Sequence, residues 1–299
     1  MTIVRMLLGA LMASGLLLIV CWALQTRRVF ARDGGSAPPT LLDLVIGFVT
    51  NFFDTLGIGS LATTTAVFRL FRLVPDEVIP GTIIVGDAVP VLLQAMLFIS
   101  VVDVDPWQMT ALIAVCVIGG WIGAGVVASL SRRAVQLGMG GALLVAAVFM
   151  MLGILGQFPS GGTALVFTPP AFGIALAVNF VLGALLALGV GNYAPSLVVF
   201  SLLGMDPRAA FPIMMGSGAF VATIAGVRFV GAGRFHWRAA LGLTAGGIPG
   251  VLVAVWIVKS LPLGALRWLV LVVVVYASAT LLRAGIRGGA SLVRGASTF

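Results

Sequence analysis

Apolar runs of about 20 residues dominate the chain, set apart by short polar clusters. The runs over Val4–Leu24, 78–101, 107–128, 137–155, 210–228, 240–258 and 264–282 each have the length of a helix crossing a hydrocarbon core of about 30 Å. Two further stretches break the pattern. Leu41–Arg72 is too long for one comfortable crossing and short for two with a turn. It is interrupted by Gly57-Ile58-Gly59, which leaves pieces of about 16 and about 13 residues. Ile174–Leu203 is interrupted the same way by Gly189-Val190-Gly191. Pieces this short reach past the middle of a bilayer but hardly cross it. Both stretches therefore read as re-entrant hairpins of two half-helices, tolerated at membrane depth only when buried in protein or lining a wet cavity.

The pattern occurs twice. "TLGIGSLA" (55–62) resembles "ALGVGNYA" (187–194), so Gly57 and Gly59 match Gly189 and Gly191 at a separation of 132 positions. The same separation relates Pro75 to Pro207, Pro80 to Pro212 and Gly86 to Gly218. Two residues are then lost, and Trp107 matches Trp237 and Gly120 matches Gly250. Such self-similarity predicts two repeats, 40–155 and 172–283. Residues 1–39 supply an extra N-terminal helix and a linker, "RDGGSAPPT" (32–40).

Charge sets the expected topology. Arg27, Arg28 and Arg32 follow the first apolar run, whereas only Arg5 precedes it, which fits a retained helix with its N-terminus outside rather than a signal peptide. With both hairpins returning to their own side, Arg69, Arg72, Arg132, Arg133, Arg228, Arg234, Arg238, Arg283, Arg287 and Arg294 fall inside, with the C-terminus. Asp103 and Asp105 fall outside, and only Arg208, Lys259 and Arg267 break the rule. Full crossings by both hairpins would reverse the loops around Asp103 and Arg132. Each half then holds one hairpin and three crossings, an odd number, so the halves are inverted. The fold class expected is an all-α polytopic membrane protein of two inverted repeats, an architecture that recurs in secondary transporters.

Composition strengthens the membrane reading and removes other functions. Of 299 residues, 61% are hydrophobic and 9% charged, with a mean hydropathy of +1.20, against about 25% charged in a soluble domain. The net charge of +8 comes from arginines at the ends of apolar runs, with no basic run carrying interleaved aromatics, so no nucleic-acid partner is expected. Cys21 and Cys116 both lie in apolar runs and imply neither a disulfide nor a metal site. His236 lies in a basic loop and reads as solvated. No cofactor is expected, since no His/Cys/carboxylate cluster has metal-ligand spacing and no phosphate-cradling loop is present. No nucleophile–base constellation points to an enzyme.

"LGIGS" and "LGVGN" open the two similar halves. Each is followed by a Pro-containing segment, a loop tryptophan ("DPW", "FHW") and a small-residue helix ("GGWIGAG", "GGIPG"). This pattern over about 40–283 resembles the TauE/SafE family of sulfite and organosulfur anion exporters, most closely in "GRFHWRAALGLTAGGIPGVLVA". The family's usual motif is richer in glycine after the break, where Ser60 and Asn192 stand here, and "NFFDTLGIGS" adds Asn51 and Asp54. The resemblance implies outward secondary transport of small sulfur-containing anions such as sulfite, thiosulfate or sulfoacetate-like compounds across the cytoplasmic membrane. A passive anion channel, or a carrier of small carboxylates, would use the same hairpins. A small anion and the lipid bilayer are the expected partners, with the oligomeric state open between monomer and homodimer.

The residues point to an anion site independently. A half-helix starts near Ser60 and another near Asn192, and each start presents unpaired N–H groups and a positive dipole end. Two such ends hold an anion without buried Lys or Arg. The candidate binding residues are Asn51, Gly57, Gly59, Ser60, Thr63, Thr64, Gly189, Gly191, Asn192, Tyr193 and Ser196, the hydroxyl and amide groups as donors to oxyanion oxygens. Capping and helix-to-helix bonding are the alternative use of the same groups. Asp54 and Asp87 are the acids placed well inside apolar segments and are the candidates for proton coupling. Asn51 shares a helix face with Asp54, and Gln94 shares one with Asp87.

Overall fold

The computed structural model describes residues 2–33, 38–55, 59–101, 104–157, 162–186 and 191–257. It also describes 268, 271–272, 275–276, 278–279 and 281–286 near the C-terminus. Among the described residues the chain is helical: α1 (Thr2–Asp33), α2 (Leu41–Thr55), α3 (Ser60–Phe71), α4 (Ile79–Val101), α5 (Pro106–Ser129), α6 (Arg132–Ile154), α7 (Pro169–Leu186), α8 (Tyr193–Leu202), α9 (Pro207–Gly231) and α10 (Trp237–Ile257). Seven stretches among them are long and apolar enough to cross a membrane, and they fall on α1, α4, α5, α6, α7, α9 and α10. The segment expected over 264–282 lies largely outside the described residues.

Both expected breaks occur, with α2 stopping at Thr55 before α3 starts at Ser60, and α7 stopping at Leu186 before α8 starts at Tyr193. Two boundaries differ from the pattern. α1 continues past Leu24 to Asp33, into the stretch read as linker. α7 starts at Pro169 rather than Ile174 and has 18 residues, which gives it the length of a crossing. Proline fits the first turn of a helix, where its missing N–H has no partner to lose.

Glycines set the closest helix contacts and fix the helix directions. Gly242, Gly246 and Gly250 of α10 lie against Asp43, Leu44 and Phe48 of α2, so the two helices run parallel. A methyl group at Gly246 would stand 2.0 Å from the Leu44 carbonyl oxygen. α5 and α7 pack in the same manner, with Gly119 on Phe180, Gly123 on Ala184 and Gly183 on Cys116. Without water to drive association, such small-residue seams let backbones approach and gain dispersion energy. α4 runs parallel to α10 (Gly86 on Leu243, Pro90 on Gly247) and antiparallel to α9 (Gly81 on Phe229). α5 runs parallel to α9 (Ile113 on Gly216, Gly120 on Val221). α9 is the central element, with 83% of its apolar window buried against 21% for α6.

Pro90 sits inside α4 and leaves the carbonyl of Gly86, four residues earlier, without its helical donor. The Thr244 hydroxyl of α10 donates to that oxygen at 2.6 Å, so the interruption becomes a bond between helices. Asn179 of α7 joins three elements likewise, donating to the Leu112 carbonyl at 2.8 Å and the Ser217 hydroxyl at 3.3 Å.

The helix starts at one end of the molecule are laced together. Thr40 and Asp43 form a reciprocal cap on α2, the Thr40 N–H donating to Asp43 Oδ2 at 2.8 Å and the Asp43 N–H to Thr40 Oγ1 at 3.3 Å. Arg238 of α10 donates to the same carboxylate at 3.0 Å. The His236 N–H donates to Thr82 of α4 at 2.8 Å. Arg69 at the end of α3 pairs with Asp76, which also accepts from Gln136 of α6 at 2.7 Å. The start of α2 and the end of α3 therefore share one end of the molecule. At the opposite end Gln108 of α5 brackets Phe167 just before α7, and Ala164 pairs with Met205 just after α8.

Candidate functional site

The two breaks meet at one cavity of about 40 Å³, room for a few water molecules or one small oxyanion. Four lining positions of the first break have their counterparts 132 residues on: Asp54 and Leu186, Gly59 and Gly191, Ser60 and Asn192, Leu61 and Tyr193. Asp87 of α4 and Gly218 of α9 also line it, with apolar walls that include Ile84, Val91 and Ala222.

The first break is shaped by its backbone and its acid. Gly59 takes φ +91°, a conformation L side chains rarely adopt. That turn aims the first N–H of α3 back at α2, where the Ser60 amide donates to Asp54 Oδ1 at 2.6 Å. A carboxylate thus sits on the positive end of α3, where dipole and unpaired N–H groups both favour negative charge. At the second break Asn192 precedes α8 and makes no side-chain cap. Its amide instead donates to the Met214 carbonyl of α9 at 3.1 Å.

Polar groups behind the cavity form a chain across helices. Asn51 donates to Asp87 Oδ1 at 3.0 Å and to the Gly47 carbonyl at 3.0 Å. Thr55 donates to the Asn51 carbonyl at 2.9 Å and accepts from Gln94 at 2.9 Å. The Tyr193 hydroxyl donates to Gln94 Oε1 at 3.2 Å and so ties the second hairpin to α4. Asp54 Oδ2, Asp87 Oδ2 and Asn51 Oδ1 are buried with no hydrogen-bond partner among the described residues. The Ser60 side chain stands beside both carboxylates, and Gln94 beside Asp54.

The candidates from sequence divide by position. Gly59, Ser60, Asp54, Asp87, Gly191, Asn192 and Tyr193 line the cavity. Asn51 stands behind it, bonded to Asp87. The Thr63 hydroxyl bonds the carbonyls of Gly59 and Ser60 within its own turn, at 3.0 and 2.9 Å. Thr64 and Ser196 are buried off the lining, their hydroxyls without a partner among the described residues. Gly57 and Gly189 lie outside the described residues. The apolar walls carried no signal of their own; Gly218 alone was marked, as the repeat partner of Gly86.

His236 is half-buried rather than free in a loop. Its Nδ1 accepts the Ala239 N–H at 3.3 Å and caps α10. Burial holds its pKa below the usual 6.5, and Arg238 adds to that while Asp43 opposes it.

The profile of the family described as sulfite exporter TauE/SafE matches residues 40–281. Comparison with curated proteins and with solved structures finds no match.

Proposed function

The chain belongs to the sulfite exporter TauE/SafE family, and from that premise we propose that it carries small sulfur oxyanions or organosulfonates out through the cytoplasmic membrane by proton-coupled secondary transport. Membership makes it a multi-pass membrane permease. The finer reading rests on one observation: two broken helices, from distant parts of the chain, bring matched glycines and matched polar residues to a single cavity. The anion binds between the starts of α3 and α8, with Gly59 and Gly191 allowing backbone approach and Ser60, Asn192 and Tyr193 donating. Thr63, Thr64, Ser196 and Asn51 support the half-helices from behind. No Lys, Arg or His lines the cavity among the described residues, so the helix ends carry the attraction.

Asp54 gives a route to coupling. Its carboxylate occupies the N–H that a substrate oxygen needs, so an ionised Asp54 competes with the anion and a protonated one yields. Asp87 is the second proton site.

The two repeats, 40–155 and 172–283, are inverted in this reading. Helix directions support it. α2 and α7, α4 and α9, and α5 and α10 each run opposite ways, and α2 packs on α10 as α7 packs on α5. The end bearing Arg69, Arg72, Arg234 and Arg238 is cytoplasmic by the positive-inside rule, which puts the start of α1 outside.

A thermal-shift screen of purified protein tests the site, since a ligand that binds the native state raises its midpoint. Sulfite, thiosulfate or sulfoacetate is expected to stabilise, acetate and succinate not. Gly191→Val is expected to fold and lose that stabilisation and transport. A folded Gly191→Val protein that transports normally would overturn the site, and accumulation that ignores an imposed pH gradient would make the protein a channel.

A further inference from the structure

The charge inventory of the cavity does not balance. Asp54 and Asp87 are both 3% exposed, and among the described residues no cationic side chain lines the space they share. Each uses one oxygen, Asp54 on the Ser60 amide and Asp87 on the Asn51 amide. Each keeps the other oxygen buried with no hydrogen-bond partner among the described residues. Asn51 adds a third, its Oδ1, on a side chain with no exposure at all and in contact with Asp87 through its nitrogen. Buried carboxylates with only neutral donors beside them, the Ser60 hydroxyl and the Gln94 amide, mark a site for something that brings positive charge.

We propose that the ionised acids take up a sodium ion, held by Asp54 Oδ2, Asp87 Oδ2 and the Ser60 hydroxyl, with Asn51 positioning Asp87 from behind, in competition with protons. The inference deepens the transport reading and rests on it for its role, but its test does not. Carboxylate and hydroxyl oxygens are the ligands that hard cations take, and broken helices in secondary transporters commonly hold sodium or protons. One monovalent ion leaves a single negative charge, which the two helix starts, each about half a positive charge, offset. A hydrated magnesium ion keeps several waters, more than about 40 Å³ accommodates. The titratable groups facing the site are Asp54 from α2, Asp87 from α4 and Tyr193 from α8; among the described lining residues α3, α7 and α9 present none. A filled cation site halves the net charge that two ionised acids would set against the proposed anion.

Thermal unfolding of the purified protein, without substrate, tests this at constant chloride with sodium, potassium or N-methyl-D-glucamine as cation. At alkaline pH sodium is expected to raise the midpoint with the logarithm of its concentration, and the shift should vanish at acid pH as protons replace it. Asp87→Asn should abolish the sodium-specific shift, and Asn51→Leu should raise the half-saturating sodium concentration at least tenfold. Equal midpoints in sodium and N-methyl-D-glucamine at alkaline pH would overturn the proposal, as would an unchanged sodium shift in Asp54→Asn and Asn51→Leu proteins. If sodium fails but sulfite still stabilises and pH still drives accumulation, the transport reading stands alone.

Discussion

Asp54 holds the first turn of α3 through one oxygen and faces the cavity with the other. The two duties can be separated by substitution. Asparagine retains an acceptor for the Ser60 amide but cannot titrate. Asp54→Asn is therefore expected to fold, bind and exchange substrate, and lose pH-driven accumulation in vesicles; full retention of accumulation would move the coupling group to Asp87. Alanine removes the acceptor and leaves a buried N–H unpaired, which costs about 1–3 kcal/mol, so Asp54→Ala should show a lowered unfolding midpoint where Asp54→Asn does not. The acid was visible in the sequence as an anomaly, and the break after it as a pair of glycines. What could not be read was that the acid caps the helix beyond the break, because that depends on a φ of +91° at Gly59. Thr63 was equally opaque, since a threonine three residues after Ser60 faces ligand or its own backbone according to one rotamer.

At the scale of elements, the seams decide how helices dock. Gly246 has the Leu44 carbonyl 2.0 Å from where a methyl carbon would lie, whereas Gly141 of α6 has nothing within 4 Å. Gly246→Ala should push α10 from α2 and lower the midpoint, by an amount in the range of overpacking, about 1–3 kcal/mol. Gly141→Ala should be neutral or stabilising by up to about 1 kcal/mol of helix propensity. The start of α10 adds a pH dependence. His236 has its folded pKa depressed below 6.5, so the stability it contributes is complete above that pH and is lost as pH falls through the lower folded value. Thermal midpoints measured from neutral pH downward should decline over that window, and His236→Gln should flatten the decline. Helix ends were the least legible feature of these elements. α1 outlasts its apolar run because nothing in "QTRRVFARD" breaks a helix, and α7 starts early because Pro169 suits a first turn.

For the whole molecule, the proposed repeat rests on a constant separation of 132 that ties several glycines and prolines, and the cavity lining keeps that separation at four positions. Partners across the interior, such as Thr244 with Gly86 or Tyr193 with Gln94, were not legible, since no local period encodes them. Orientation can be checked by labelling single cysteines, with Cys21 and Cys116 replaced, using a reagent that cannot permeate. Positions 104 and 165 should react from outside, and 72 and 131 only after permeabilisation; reaction at 72 from outside would place the first hairpin across the membrane. Met205 and Val74 are unsuitable probes because they are buried.

The matched lining has one mismatch that matters beyond the site: Asp54 in the first half is answered by Leu186 in the second, and Asp87 by Ala219. A carrier of two interchangeable halves would have inward-open and outward-open states of equal energy, each the image of the other. Ionisable groups on one half alone forbid that equality. In the proposed alternating-access reading the acids ride on helices of the first half alone, so the two open states are not images of each other and the resting equilibrium is tilted before any gradient acts. In that reading the single-sided acids choose which state waits for substrate, while the gradients alone choose the direction of net flow.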